Sequence, residues 1–406
     1  MPDSVADIQP LPSTSEPTGV ADEPVLVVNA GSSSLKLRLV PQGPSVLVER
    51  IGSGGDGRVS VDGGTAADRG VVDVREAFTV ALDAAGLTGD ATIRQVGHRV
   101  VHGGERYVAP LRLGDAAIEN LEKLAPLAPL HLPANLAGVR VAREALPNAG
   151  HVAVFDTAFH ATLPRHAYLY ALPKELYQQN GIRRYGFHGT SHDVVSSRLA
   201  DRLGRPRTQL RIVTLHLGNG ASAAAIDRGR SVDTSMGFTP MEGLVMGTRS
   251  GDVDPGVLLH LLRAGASADE LGELLNQRSG LLGLSGVSND LRDVWAAVDT
   301  GNDDAAAAVE VYAYRIRKQI AAMAAAMAGL DALIFTGGVG EHDARMRAAS
   351  TDGLAFLGVE IDDAANRTHG PRIGRAGAGV ETWVIPTDEE GRIAELTRLA
   401  LQEVTP

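Results

Sequence analysis

Val25-Leu-Val-Val-Asn-Ala-Gly-Ser-Ser-Ser-Leu-Lys36 carries the reading of the fold. An apolar, β-branched run stops at Gly31 and three serines, and an apolar run then resumes. That pattern predicts strand, tight polar turn, strand. Such a turn exposes backbone N–H groups and hydroxyls, and Lys36 adds a cation; together these suit a phosphate chain. Ser32 and Ser34 alternate, so both can face the same side, and Lys36, two residues further on, lies on that face. A plain hairpin with a serine tip gives the same local pattern. No G-x-x-x-x-G-K-[ST] run occurs, so this is no Walker loop. The design recurs at Arg211-Ile-Val-Thr-Leu-His-Leu-Gly-Asn-Gly220. With Gly31 aligned on Gly218, Val27-Val28-Asn29 falls on Thr214-Leu215-His216, and Leu35-Lys36-Leu37 lies close to Ser222-Ala223-Ala224. A duplicated α/β unit is expected, with its two turns available to one ligand in a cleft.

Other segments add cations among glycines. In Gly97-His98-Arg99-Val100-Val101-His102-Gly103-Gly104-Glu105, the Arg99 fork suits a carboxylate or phosphate, and Val101 shares its face. A surface salt bridge is the plain alternative for Arg99. The glycines speak against a helical metal pair at His98 and His102. Leu130-His131 lies in a proline-punctuated stretch, where Pro126, Pro129 and Pro133 are expected to break structure. Asp156 ends an apolar strand, a position for holding Mg2+ or for capping a helix. His188, beside Gly189, can approach a phosphoryl group closely. The Met236–Asp252 run surrounds Arg249 with glycine and methionine, and Pro240 adds an apolar wall. Segments 285–293 and 337–341 read as polar loops of the kind that cradle adenosine.

The bulk numbers exclude several classes. The chain has 406 residues, which favours two domains. A net charge of -11 argues against nucleic acid or an anionic membrane as partner. There is no cysteine, hence no disulfide and no thiolate. No run approaches the ~20 apolar residues of a membrane span. Residues 1–22 lack Lys and Arg and read as a disordered tail, not a signal peptide. Strands are expected at 25–28, 35–40, 92–96, 151–155, 212–217, 221–227, 331–336 and 382–386. Helices are expected at 75–85, 115–124, 135–145, 257–263, 268–277, 303–328 and 389–403.

Five motifs together resemble the acetate kinase family: Asn-Ala-Gly-Ser-Ser-Ser-x-Lys, Gly-His-Arg-Val-Val-His-Gly-Gly-Glu, Gly-Phe-His-Gly-Thr-Ser-His, His-Leu-Gly-Asn-Gly and Met-Gly-Thr-Arg-Ser-Gly-Asp. The resemblance implies α/β architecture: a two-domain, duplicated actin-like ATPase (ribonuclease H-like) fold with an interdomain nucleotide cleft. It places an N-terminal domain at 23–155 plus 388–406 and a nucleotide-binding domain at 156–387. It implies reversible transfer of the ATP γ-phosphoryl to acetate, giving acetyl phosphate and ADP. Mg2+ would serve, with Mn2+ able to substitute, in a cytoplasmic homodimer.

By position, the resemblance assigns Asp156, His188 and Arg249 to catalysis. Arg99, Val101, Leu130, His131 and Pro240 fall to the acyl substrate. Ser32, Ser34, Lys36 and the run His216, Leu217, Gly218, Asn219 and Gly220 fall to the phosphates. Asp290, Leu291 and Arg292, with Gly338, Val339, Gly340, Glu341 and His342, fall to the adenosine side. Asn29 and Glu389 fall to the metal, with Glu390 the alternative to Glu389. His342, Leu132 and Asp388 stand where the family usually has Asn, and Val194 where Tyr is common. A short-chain acyl kinase for propionate is the near alternative. A nucleotide-switch protein without catalysis would have no need of Arg99. A sugar kinase would want a polar pocket and an Asp base.

Overall fold

The computed structural model describes residues 23–52, 56–89 and 93–402. The expected tail at 1–22 lies outside the described residues. These residues form two compact units, one comprising 23–158 with 388–402 and the other Phe159–Thr387. No described helix is long and apolar enough to cross a membrane.

The first unit is built on an eight-stranded sheet. Its strands are β1 Val25–Ala30, β2 Ser34–Val40, β3 Ser45–Glu49, β4 Arg58–Val61, β5 Ala67–Asp68, β6 Gln95–Val100, β7 Leu111–Arg112 and β8 Gly150–Phe155, in the order β5-β4-β3-β2-β1-β6-β8-β7. β1 is buried almost throughout, which is why it reads as one continuous apolar run. β2 alternates, with Leu35 and Leu37 in the core and Ser34, Lys36 and Arg38 on the other face. β1, β6 and β8 run parallel, and their carboxyl ends carry Asn29, Arg99 and Asp156. The helix Glu389–Gln402 lies across these strands so closely that a Cβ on Gly97 would stand 2.4 Å from Thr397 Oγ1.

The second unit carries β9 Arg211–Leu217, β10 Ala221–Asp227, β11 Arg230–Thr234, β12 Ala332–Thr336 and β13 Glu381–Val384, in the order β11-β10-β9-β12-β13. Ile212, Ala224, Ile226, Ala332 and Ile334 meet Val194, Val195 and Leu199 of the helix Gly189–Leu203 in one core. Each unit thus has three antiparallel strands joined to two parallel ones: β3-β2-β1-β6-β8 and β11-β10-β9-β12-β13.

The register refines the repeat by one residue. Ala30 faces Leu35 across four turn residues, whereas Leu217 faces Ala221 across three. Lys36, opposite Asn29, therefore corresponds to Ser222, opposite His216. Three other expectations change. Pro133 does not break structure; it sits in the first turn of the helix Leu132–Ala145, where its missing N–H costs nothing. The segment expected as a loop at 337–341 is the short helix Gly337–His342, which follows β12 directly. The expected loop at 285–293 contains the end of the helix Gly280–Ser285 and the start of Leu291–Asp299.

Candidate active site

In the first unit the β1–β2 turn is closed by Gly31 N–H donating to the Ser34 carbonyl at 2.7 Å. Beside it, Arg99 at the end of β6 points its fork at Asp156. Nε donates to Oδ1 at 3.0 Å and Nη2 to Oδ2 at 2.6 Å. Asp156 is 1% exposed and Arg99 26%. The adjacent Asp156 charge, and to a lesser degree Glu389, hold the Arg99 guanidinium more firmly protonated than usual. Two of its five N–H groups serve Asp156, so the remaining edge can still receive a second carboxylate. Glu389 Oε2 lies 3.9 Å from Arg99 Nε. Glu390, in contrast, pairs with Lys36 and lies 3.8 Å from Arg38. Burial works to raise the Glu390 pKa, but the Lys36 hydrogen bond and charge bring it below the usual value. The structure thereby separates two neighbouring glutamates: Glu390 is committed to β2, and Glu389 stands beside Arg99.

Val101 is half-buried against the core, Leu130 is 63% exposed, and His131 precedes the first turn of the helix Leu132–Ala145. Pro240 lies in the other unit, where its carbonyl accepts from Arg249. Sequence reasoning missed Asn135. Its Oδ1 accepts from Val101 N at 2.9 Å and its Nδ2 donates to the Ala30 carbonyl at 2.6 Å. One buried amide thus ties the ends of β1 and β6 to a helix. An Asn on the apolar face of the helix, between Leu132 and Leu136, was the available signal.

Asn29, Asp156 and Glu389 offer only oxygen donors, the ligand set that suits Mg2+. Arg99 takes one lone pair from each Asp156 oxygen, and a carboxylate has about four such sites, so the set fits a hard cation directly or through water.

In the second unit, His188 holds φ at +56° immediately before the helix Gly189–Leu203. A non-glycine residue there costs about 1–3 kcal/mol and persists only when its surroundings enforce it. Its ring lies 4.3 Å from that of His216, centroid to centroid. A Cβ built on Gly220 would lie 3.6 Å from His188 Nε2 and 3.7 Å from Arg249 Nη1. Imidazole and guanidinium therefore flank the same space over the β9–β10 turn. Arg249 makes no ion pair among the described residues: Nη1 donates to the Pro240 carbonyl at 2.9 Å and contacts Met246 Sδ at 3.7 Å. Burial lowers its pKa somewhat, which is the penalty for an uncompensated charge. Arg184 braces the loop that carries Pro240 and Arg249, donating to the carbonyls of Thr234, Ser235 and Met236 and pairing with Glu242 at 2.5 Å. Asn219 is pressed against the same loop. Its carbonyl accepts from Gly247 N, and a Cβ at Gly247 would lie 2.1 Å from Asn219 Oδ1.

From this turn opens a cavity of about 730 Å3, within the usual range for small-molecule sites. Gly218, Asn219, Asp290, Leu291, Arg292, Gly338, Val339 and His342 line it. Leu217, Gly220, Gly340 and Glu341 are not on its wall. Glu341 turns inward: Oε1 accepts from Gly337 N at 2.9 Å and Thr387 N at 3.2 Å. Asp290 caps its helix through Arg292 N and also pairs with the Arg292 side chain. Trp295 was not anticipated. It lines the cavity with its indole N–H donated to Asp343 at 2.7 Å and Arg345 stacked on its ring at 3.8 Å.

A glycine turn beside a half-buried arginine that makes no ion pair among the described residues, an adjoining cavity of small-molecule size and a paired Arg–Asp on a twin scaffold define a narrow class. The acetokinase family model matches residues 24–395. The chain belongs to the acetokinase family. It is 51% identical to the acetate kinase of Leifsonia xyli subsp. xyli, covering 94% of this chain and 98% of that protein. It is 50% identical to the propionate kinase of Citrobacter rodentium, covering 93% and 97%. Among solved structures, the acetate kinase of Porphyromonas gingivalis superposes with a TM-score of 0.87 at 43% identity, over 93% of this chain and 100% of that one. A propionate kinase from Francisella tularensis superposes equally well, at 36% identity, over 93% and 99%. This acetokinase thus has the family's duplicated α/β, actin-like architecture, and the site residues described above lie inside the matched segment.

Proposed function

We propose that this chain transfers the γ-phosphoryl group of ATP to acetate, reversibly, giving acetyl phosphate and ADP. The observation that carries the reading is Arg249, a half-buried cation without an ion pair among the described residues, facing His188 over a glycine turn. A charge left unpaired at a phosphate turn is an electrostatic cost recovered only when an anion arrives.

Arg99 holds the acceptor carboxylate on the edge that Asp156 leaves free, with Val101, Leu130 and Pro240 toward the methyl group. Acetate is already ionised at neutral pH, so no general base is needed. An acceptor oxygen bonds to the γ-phosphorus while the bond to the β,γ-bridging oxygen breaks, and that electron pair leaves on ADP. Arg249 and His188 stabilise the charge on the transferring group, and positioning supplies most of the rest. Lys36, Ser32, Ser34 and the His216–Gly220 turn serve the phosphates; the 730 Å3 cavity serves adenosine. Asn29, Asp156 and Glu389 would hold Mg2+, or Mn2+ in its place, and the ion there would withdraw charge from phosphate oxygens.

Propionate is the second reading. Relatives bearing either name are equally similar, and one methylene changes binding by only ~1–3 kcal/mol. We further infer a cytoplasmic homodimer. The helix Pro255–Arg263 has no buried residue and exposes Val257, Leu259 and Leu262. Asp254 at its start and Arg263 at its end suit an antiparallel second copy. Hydroxylamine trapping with ATP–Mg2+ and acetate, propionate or butyrate tests the reading. Hydroxamate should form fastest with acetate, and none with all three acids would overturn it.

A further inference from the structure

Behind His188 runs a buried hydrogen-bonded chain that the reaction as described does not use. His188 Nδ1 lies 2.9 Å from Ser222 Oγ, which lies 2.8 Å from His192 Nε2. His192 Nδ1 in turn lies 2.7 Å from Thr214 Oγ1. Ser222, His192 and Thr214 are all completely buried. The chain can run in two directions, and the two put the His188 proton on opposite nitrogens.

Thr214 decides the direction. Among the described residues its hydroxyl has one partner, His192 Nδ1. If His192 donated to Thr214, the threonine O–H would be buried with no acceptor, a costly state. Thr214 therefore donates, and His192 Nδ1 accepts. His192 is held neutral, since burial and then the neighbouring His160 and His216 push its pKa well below the ordinary imidazole value. Its single proton sits on Nε2 and goes to Ser222 Oγ. Ser222, having accepted one bond, has its own proton left to donate, and His188 Nδ1 receives it. Every buried polar atom in the chain is then satisfied.

We propose that Thr214, His192 and Ser222 are positioning residues that fix His188 as the Nε2–H tautomer, so that it presents an N–H donor to the transferring phosphoryl group. With Nδ1 turned to Ser222, His188 Nε2 is the ring nitrogen that faces, with Cε1, the space over Gly220 beside Arg249. The imidazole then contributes a directed hydrogen bond while Arg249 supplies the positive charge. The tautomer itself follows from the hydrogen-bond chain alone; its use rests on the phosphoryl-transfer reading above.

The test is the 15N spectrum of the full-length protein labelled at histidine, with His188 assigned by the loss of its signals in His188→Gln. In wild type at pH 8 the His188 Nε2 resonance should be of the protonated type and Nδ1 of the acceptor type. Thr214→Val, nearly isosteric, should mix the His192 and His188 tautomers and lower kcat about tenfold with both KM values little changed; Thr214→Ser should restore both. A His188 proton on Nδ1 in wild type overturns the proposal. So does a Thr214→Val protein with unaltered His188 signals and unaltered kcat. If Thr214→Val does not fold, the wild-type spectrum alone decides. Hydroxamate formation by wild type, measured separately, reports on the phosphoryl-transfer reading and not on the tautomer.

Discussion

The β1–β2 turn and the β9–β10 turn occupy the same place in sheets of the same topology, yet they carry opposite chemistry. Around the first stand ions: Lys36 with Glu390, and Arg99 with Asp156 and Glu389. Around the second stand His188, His216, Ser222 and glycine, with Arg249, which makes no ion pair among the described residues. Position by position, Lys36 in the first unit becomes Ser222 in the second. Duplication supplied the scaffold, and the side chains at equivalent register divided the work. Compensated charge fits a site that must orient a carboxylate and a metal. Uncompensated charge fits a site whose partner is the phosphoryl group itself.

That contrast breaks most sharply at Arg249. Arg249→Lys keeps the charge and loses the fork, so kcat should fall on the order of 100- to 1,000-fold with little change in either KM. Unchanged kcat in steady-state assays would remove Arg249 from the reaction. Asp156→Asn strikes the other unit. It leaves Arg99 without its charged partner and should cost on the order of 100-fold in kcat, even at saturating Mg2+. Near-normal turnover would limit Asp156 to holding the fold.

One property should be common to both units. His98 and His151 in the first, and His160 and His192 in the second, are kept neutral chiefly by burial. His160 is pushed from 6.5 to about 4. A folded-state pKa below the unfolded one means the unfolded chain binds the proton first. Stability is therefore full above about pH 6.5 and is lost as pH falls toward 4, with His160 alone worth roughly 3 kcal/mol. Urea midpoints measured between pH 7.5 and 4.5 should fall steadily, and flat midpoints would contradict the buried neutral state. The gentlest effect is expected at the nucleotide wall. Trp295→Ala removes the Arg345 stack and should raise the ATP KM up to about tenfold, leaving the acetate KM alone.

The turns, the motif positions and most strands were legible in the sequence, because an apolar run ending at glycine and small polar residues has few other readings. Arg99 and Asp156 were each singled out, but not as partners. Their pairing depends on the β6–β8 register, which places Arg99 beside Val154, two residues before Asp156. The Thr214–His192–Ser222–His188 chain was hidden for the same reason: it crosses a helix and two strands. The resemblance assigns Glu341 to the adenosine side, and what composition could not show is that its carboxylate accepts from Gly337 N and Thr387 N. Pro133 looked like a breaker because its position relative to the helix start cannot be read from composition.

The division of labour between the two units is tested most directly by Arg99→Lys, which retains a cation for Asp156 but loses the planar edge for the acceptor. In one steady-state experiment with acetate and ATP varied in turn, the acetate KM should rise about 10- to 100-fold while the ATP KM stays within a few-fold of wild type. An unchanged acetate KM with a collapsed kcat would instead place Arg99 on the moving phosphoryl group and contradict the division.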